Sequence, residues 1–147
     1  MKNNGKYIGE KGERIAIGEL AKFDVEILQV IGDNLPFDFV IYKDDKFYKC
    51  QVKTSTRSTT NTEGSLFFSL VSTNWYSKTT HFYTKNEVDI FILCDLQTIY
   101  LFRFDELKNR RSISIRKIPS KNNIKKSVTF AKDVVISKDR LKHVMCL

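Results

Sequence analysis

The stretch Pro36-Phe37-Asp38-Phe39-Val40-Ile41-Tyr42-Lys43-Asp44-Asp45-Lys46-Phe47-Tyr48-Lys49-Cys50-Gln51-Val52-Lys53 reads as a β-hairpin turning at Asp44-Asp45. A two-residue turn there sets Lys43 opposite Lys46. Counting outward along both strands then sets Asp38 opposite Gln51. Opposed residues of an antiparallel pair project to one face of the sheet. Lys53, two residues beyond Gln51, returns to that face roughly 6–7 Å further along the strand. The hairpin, Asp38 to Lys43 and Lys46 to Lys53, therefore gathers an acid, an amide oxygen and an ammonium. Such a set suits a metal ion with a basic group beside it.

Upstream, Gly5 to Phe23 reads as a helix, with Ala16, Leu20 and Phe23 at helical spacing. Glu13 falls on that apolar stripe and should face the sheet, Glu10 lies near the same face, and Glu19 is turned far round. One reading of Glu10 and Glu13 is a solvated first turn favoured by the helix dipole. For Glu13 we favour a site carboxylate, because an acid on a core-facing stripe is otherwise unfavourable.

Val25 to Val30 alternates as a strand, and Gly32-Asp33-Asn34 is a turn. Leu66 to Ser72 is a further strand. Val88 to Cys94 is almost continuously apolar, which predicts a central strand buried on both faces. Thr98 to Phe104 follows as its hairpin partner, then a short helical turn within Phe104 to Asn109. Ser112 to Ile118 reads as an edge strand ending at Pro119, and a terminal helix begins near Lys138. The pattern is α/β, a mixed β-sheet with a helix packed on it.

A chain of 147 residues normally forms one domain, and its 41% hydrophobic content suffices for a core. No apolar run is long enough to span a bilayer. Met1 to Lys6 is polar and lacks the apolar region of a signal peptide, so a cytoplasmic protein is expected. Cys50, Cys94 and Cys146 are scattered, without zinc spacing. His81 and His143 lie far apart and show no partners in the sequence. The net charge of +8, from 25 basic and 17 acidic residues, suggests a polyanionic partner. Charge alone leaves DNA, RNA and acidic lipid open.

Asp38, the hairpin and Gln51-Val52-Lys53, preceded by Glu13, Ala16 and Leu20, resemble the PD-(D/E)XK nuclease superfamily. Within it the chain looks most like the small homing endonucleases of group I introns, with archaeal Holliday-junction resolvases as cousins. The likeness continues through Glu87-Val88-Asp89-Ile90-Phe91-Ile92-Leu93, Ile99-Tyr100-Leu101 and Ile115-Arg116. It implies a restriction-endonuclease-like core with flanking helices. It also implies Mg2+-dependent hydrolysis of phosphodiester bonds in double-stranded DNA. On that resemblance the catalytic set is Glu13, Asp38, Gln51 and Lys53. The metal would be held by Asp38, Glu13, the Gln51 amide oxygen and the Val52 carbonyl. Lys53 would orient or deprotonate the attacking water, or stabilise the pentavalent phosphorus. Gln51 stands where the superfamily usually has an acid, so the site carries two carboxylates against one lysine. A junction resolvase and a DNA-binding protein with a decayed site are the alternatives.

Thr54, Ser55, Thr56, Arg57, Ser58 and Asn61 follow directly from the catalytic strand. Their hydroxyls, amide and guanidinium suit phosphates and base edges, although a plain polar loop would have the same composition. Asn74, Trp75, Tyr76 and Lys78 form a second candidate contact. The zone containing Arg110, Arg111, Arg116, Lys117, Lys121, Lys125 and Lys126 is a third, or a solvated charged face. A double-strand cut needs two sites, so a homodimer or homotetramer is expected. Val144-Met145-Cys146-Leu147 would form part of that interface or dock on its own core.

Overall fold

The computed structural model describes residues 5–56, 64–74, 76–119, 121–122 and 126–146. Helix α1 spans Gly5–Leu20 and buries Gly12, Ala16 and Leu20 along one stripe. It begins at Gly5, so Glu10 and Glu13 lie beyond the first turn. The helix dipole acts within that turn and does not account for these acids; Glu10 is nonetheless exposed, whereas Glu13 is half-buried.

After β1 (Glu26–Gln29) come β2 (Phe39–Lys43) and β3 (Lys46–Thr54). Asp44 and Asp45 both take positive φ, 50° and 59°. Those angles make the tight hairpin turn that matches strand twist. The register sets Lys43 opposite Lys46 and Phe39 opposite Cys50, as the two-residue turn predicts. Then follow β4 (Ser65–Ser69), β5 (Ser72–Asn74), β6 (Thr79–His81), β7 (Ile90–Cys94) and β8 (Ile99–Arg103). The chain continues through α2 (Phe104–Leu107), β9 (Ser112–Arg116), β10 (Thr129–Phe130), α3 (Ala131–Val134) and α4 (Lys138–Val144).

The main sheet has five strands in the order β1-β2-β3-β7-β8. The β3–β7 pair is parallel and the others are antiparallel. All five residues of β7 are buried, as its apolar run predicts. One face carries Cys50, Val52, Ile90 and Ile92 against Ala16 and Leu20 of α1 and Leu141 and Val144 of α4. The other carries Phe91, Leu93, Tyr100 and Phe102 against Phe68, Leu70, Ile113 and Ile115.

That second layer departs from the sequence expectation. Ser112 to Ile118 is not an edge strand: β9 runs between β10 and β4 in a separate three-stranded sheet. Ile113 and Ile115 alternate inward and cover the main sheet, and both sides of β9 find hydrogen-bonding partners. The expected strand Leu66 to Ser72 also divides. Leu70 N–H extends the β4–β9 register by one rung to the Arg111 carbonyl (2.9 Å), and beyond it Ser72 opens the small β5–β6 hairpin. Of the apolar end, Val144 and Met145 dock on the chain's own core, Cys146 is exposed and Leu147 lies outside the described residues. The Tyr48 hydroxyl donates to the Met145 carbonyl at 2.9 Å. Among the described residues no helix is long and apolar enough to cross a membrane.

Candidate active site

The regular hairpin ladder ends at Phe39 and Cys50, and Asp38 N–H donates to the Cys50 carbonyl at 2.8 Å, one residue out of that register. The chain before Asp38 then parts from β3, which continues alone on that side to Thr54. The Asp38 side chain fills the place of the missing strand. Its Oδ2 accepts the Val52 N–H at 2.7 Å and the Gln51 Nε2 at 2.8 Å. Both bonds fall on one carboxylate oxygen. Gln51 Nε2 also contacts the Val52 carbonyl at 3.2 Å. The sequence reading aimed the Gln51 amide oxygen at a cation; the structure instead turns the amide nitrogen toward Asp38. A carboxylate is an acceptor only, so it selects the donor end of the amide.

Glu13 arrives from the other side. In the β3–β7 register Gln51 and Lys53 stand beside Phe91 and Leu93, on the face covered by the second sheet. Val52 belongs to the helix-covered face. Helix α1 approaches β3 so closely that a Cβ at Gly12 would lie 1.8 Å from Thr54 Oγ1. This contact seats the next residue, Glu13, near the strand end where Asp38 sits. Burial pushes the Glu13 pKa up, and the negative charges of Asp38 and Glu10 add to the shift. Asp38 is also pushed up, chiefly by burial, against the opposing Val52 N–H, Lys53 charge and Gln51 amide. Two carboxylates that disfavour their own charge create a local demand for a cation.

Lys53 is the basic member. Its Nζ donates to the Tyr83 hydroxyl at 2.9 Å and the Val71 carbonyl at 3.3 Å. The same nitrogen lies 4.7 Å from the Tyr83 ring centroid. Burial pushes the Lys53 pKa down to about 8, with Asp38 opposing. Lys53 also lines a cleft of about 390 Å³ bounded by Gly5, Ile8 and Gly9 of α1, Val52 to Thr56, and Phe67 and Ser69 of β4.

The structure thus brings Glu13, Asp38, Gln51, Val52 and Lys53 into one neighbourhood. Among the described residues no three His, Cys, Asp or Glu side chains cluster. The expected DNA contacts are more dispersed. Thr54 points its hydroxyl at Gly12, buried and without a partner, because α1 closes over it. Ser55 N–H extends the ladder to the Cys94 carbonyl at 3.0 Å, and Thr56 is exposed at the cleft. Arg57, Ser58, Asn61, Trp75 and Lys125 lie outside the described residues. Asn74 Oδ1 accepts the N–H groups of Tyr76 (2.9 Å) and Ser77 (3.2 Å), shaping the β5–β6 turn on which Lys78 is exposed. Arg116 Nε donates to the Ile118 carbonyl at 3.2 Å. Asn74, Lys78 and Arg116 do not line the cleft. Both histidines have carboxylate partners that sequence spacing did not reveal: His81 meets Glu87 at 3.1 Å and His143 meets Glu106 at 3.3 Å. Sequence reasoning also missed Tyr83 and Val71, since their contacts with Lys53 are made across the fold.

The raised Asp38 pKa makes a prediction about the metal-free protein. A carboxyl whose folded pKa lies above its unfolded value destabilises the fold when ionised. The penalty is complete above the folded pKa and vanishes below the unfolded one. Asp38→Asn keeps an acceptor for Val52 and Gln51 but removes the charge. In chelator at pH 7 it should melt a few degrees above the parent. The gap should close as pH falls through the folded Asp38 pKa toward 3.8, the ordinary aspartate value. Thermal melts of both proteins across that range check this; a variant less stable at pH 7 refutes it.

Known proteins share this fold. A family profile described as PD-(D/E)XK endonuclease matches residues 3–135. Among solved structures, the bacterial homing endonuclease I-Ssp6803I superposes with a TM-score of 0.73 at 21% identity, over 97% of this chain and 93% of that one. At that identity the likeness is one of fold. MepB aligns at 14% identity over 78% of this chain and 86% of its own, with a TM-score of 0.38, too slight to bear on the site. No curated protein matches in sequence. The profile spans most of the chain, and the mixed sheet with flanking helices is the restriction-endonuclease-like core: the chain belongs to the PD-(D/E)XK endonuclease family.

Proposed function

We propose that this chain is a magnesium-dependent endonuclease that hydrolyses phosphodiester bonds of double-stranded DNA at a preferred sequence. The observation that carries this is the Asp38 carboxylate, held on one oxygen by Val52 and Gln51 with a second acid and Lys53 beside it. The donor set, two carboxylates and a backbone carbonyl, fits a hard divalent cation, which takes oxygen ligands. Asp38 through its other oxygen, Glu13 and the Val52 carbonyl would hold Mg2+. When bound, that ion neutralises phosphate charge and lowers the pKa of a coordinated water.

The side chains have separate tasks. Gln51 orients Asp38 as a hydrogen-bond donor, which an ionised acid at that position would not do. Lys53, with a pKa near 8, is mostly ammonium at neutral pH. It therefore stabilises the negative charge that builds on phosphorus oxygens, and its capacity as a base grows only in alkaline solution. Ser55, Thr56 and the residues after them, including Arg57, Ser58 and Asn61, run from the catalytic strand and contact the backbone and base edges. Lys78 adds a phosphate contact from the β5–β6 turn.

The test is cleavage of a randomised duplex library and of a four-way junction in the same salt. A consensus among cut duplexes, abolished by chelation, is the expected result. Cutting of junctions without a consensus indicates a resolvase. Sequence-selective binding without cutting indicates a decayed site.

The described residues carry one such site, so a double-strand break calls for a homodimer or homotetramer. Binding should weaken steeply with salt as the +8 charge of each subunit displaces counterions. Light scattering at micromolar concentration should report a multiple of the 17.2 kDa chain mass. A strict monomer that makes concerted double-strand breaks contradicts this; one that only nicks limits the enzyme to single-strand cleavage.

A further inference from the structure

We propose that Tyr83 is a positioning residue for the reaction: its hydroxyl and ring hold the Lys53 ammonium at the site. This rests on the nuclease reading above, in which Lys53 faces the scissile phosphate. A lysine ammonium has three protons and no acceptor. One goes to the Tyr83 hydroxyl at 2.9 Å and another to the Val71 carbonyl at 3.3 Å. The third remains for the substrate. The Tyr83 ring, 4.7 Å from Nζ, adds attraction from its π face in a partly buried setting.

Tyr83 is itself fixed. Its ring meets Phe91 edge-on at 5.7 Å and His81 edge-on at 5.4 Å, and the Ser72 side chain bonds its hydroxyl. Burial raises the hydroxyl pKa to about 12, so it stays neutral through the working range of a nuclease. A neutral oxygen holds the ammonium without competing with the phosphate as a full negative charge would. The lysine stem has four rotatable bonds, and an unheld ammonium would sample many positions. Two oxygens and a ring reduce these to one. The second sheet thereby acquires a role in the chemistry: Val71 and Ser72 follow β4 and bring these contacts to the end of β3.

Tyr83→Phe removes the hydroxyl and keeps the ring contacts, so it should fold and melt like the parent. Single-turnover cleavage of duplex DNA with magnesium should slow roughly ten-fold or more, with DNA affinity unchanged. In a Lys53→Met background the same substitution should add nothing, which a merely structural tyrosine would not satisfy. The Lys53 ammonium resonance of metal-free protein provides a readout independent of activity. It should be sharp and slowly exchanging in the parent and broadened in Tyr83→Phe. A parental cleavage rate in Tyr83→Phe, or an equal loss in both backgrounds, overturns the proposal. If Lys53→Met itself cuts at the parental rate, the catalytic reading of Lys53 fails. An unchanged ammonium signal in Tyr83→Phe would then separately remove the hold assigned to Tyr83.

Discussion

Asp38→Ala protein should bind duplex DNA as the parent does and cut it roughly a thousand-fold more slowly. The side chain joins every part of the site. It accepts from Val52 and Gln51, lies within the electrostatic reach of Lys53 and Glu13, and sits where the hairpin parts. Truncation leaves the Val52 N–H and the Gln51 amide without their acceptor and removes a carboxylate from the proposed metal. It should not weaken phosphate contacts, because it removes negative charge from a DNA-binding face. Single-turnover cleavage and gel-shift titration separate the two effects. Cutting at the parental rate would place the chemistry elsewhere. Binding lost together with cutting would point to a misfolded variant, which a thermal melt identifies.

Gly12→Ala should have the largest effect on the fold. The added methyl would lie 1.8 Å from Thr54 Oγ1 and 2.9 Å from Thr54 Cβ, too close for either group to remain in place. Relief requires α1 to lift from β3, at about 3 kcal/mol, or roughly 10 °C in melting temperature. Cleavage should fall with it, because Glu13 rides on the displaced helix. Thr54→Ala should recover much of both in the double variant, since it removes the nearest colliding atom. Thr54→Ala alone should be nearly neutral, as it deletes a buried hydroxyl that has no partner. If Gly12→Ala melts with the parent, close packing of α1 is not what positions Glu13.

These two variants mark what was legible in the sequence and what was not. The hairpin was legible because a two-residue turn sets the pairings outward from it as far as Phe39 and Cys50; Asp38 leaves that register and meets Gln51 through its side chain. Glu13 was legible because helical period places it on the stripe of Ala16 and Leu20. β7 was legible from its unbroken apolar run. The donor role of Gln51 was hidden, since spacing locates a side chain but not which end of an amide faces an acid. The second sheet was hidden because Ser65 pairs with Arg116 across a long intervening chain, and local alternation does not identify such partners. Tyr83 was hidden for the same reason: it lies in an aromatic run that gives no sign of a distant lysine. Thr54 read as a DNA contact because hydroxyls suit phosphates, yet the glycine opposite lets α1 bury it.

The central claim is that Asp38 and Glu13 together hold a divalent cation beside Lys53. The most direct measurement titrates Mn2+, a paramagnetic stand-in for magnesium, into the purified protein and follows free ion by electron paramagnetic resonance. The expected result is one bound ion per chain in the parent, displaced by excess Mg2+, with binding lost in Asp38→Ala and weakened in Glu13→Gln. Equal Mn2+ binding by the parent and Asp38→Ala would contradict the claim.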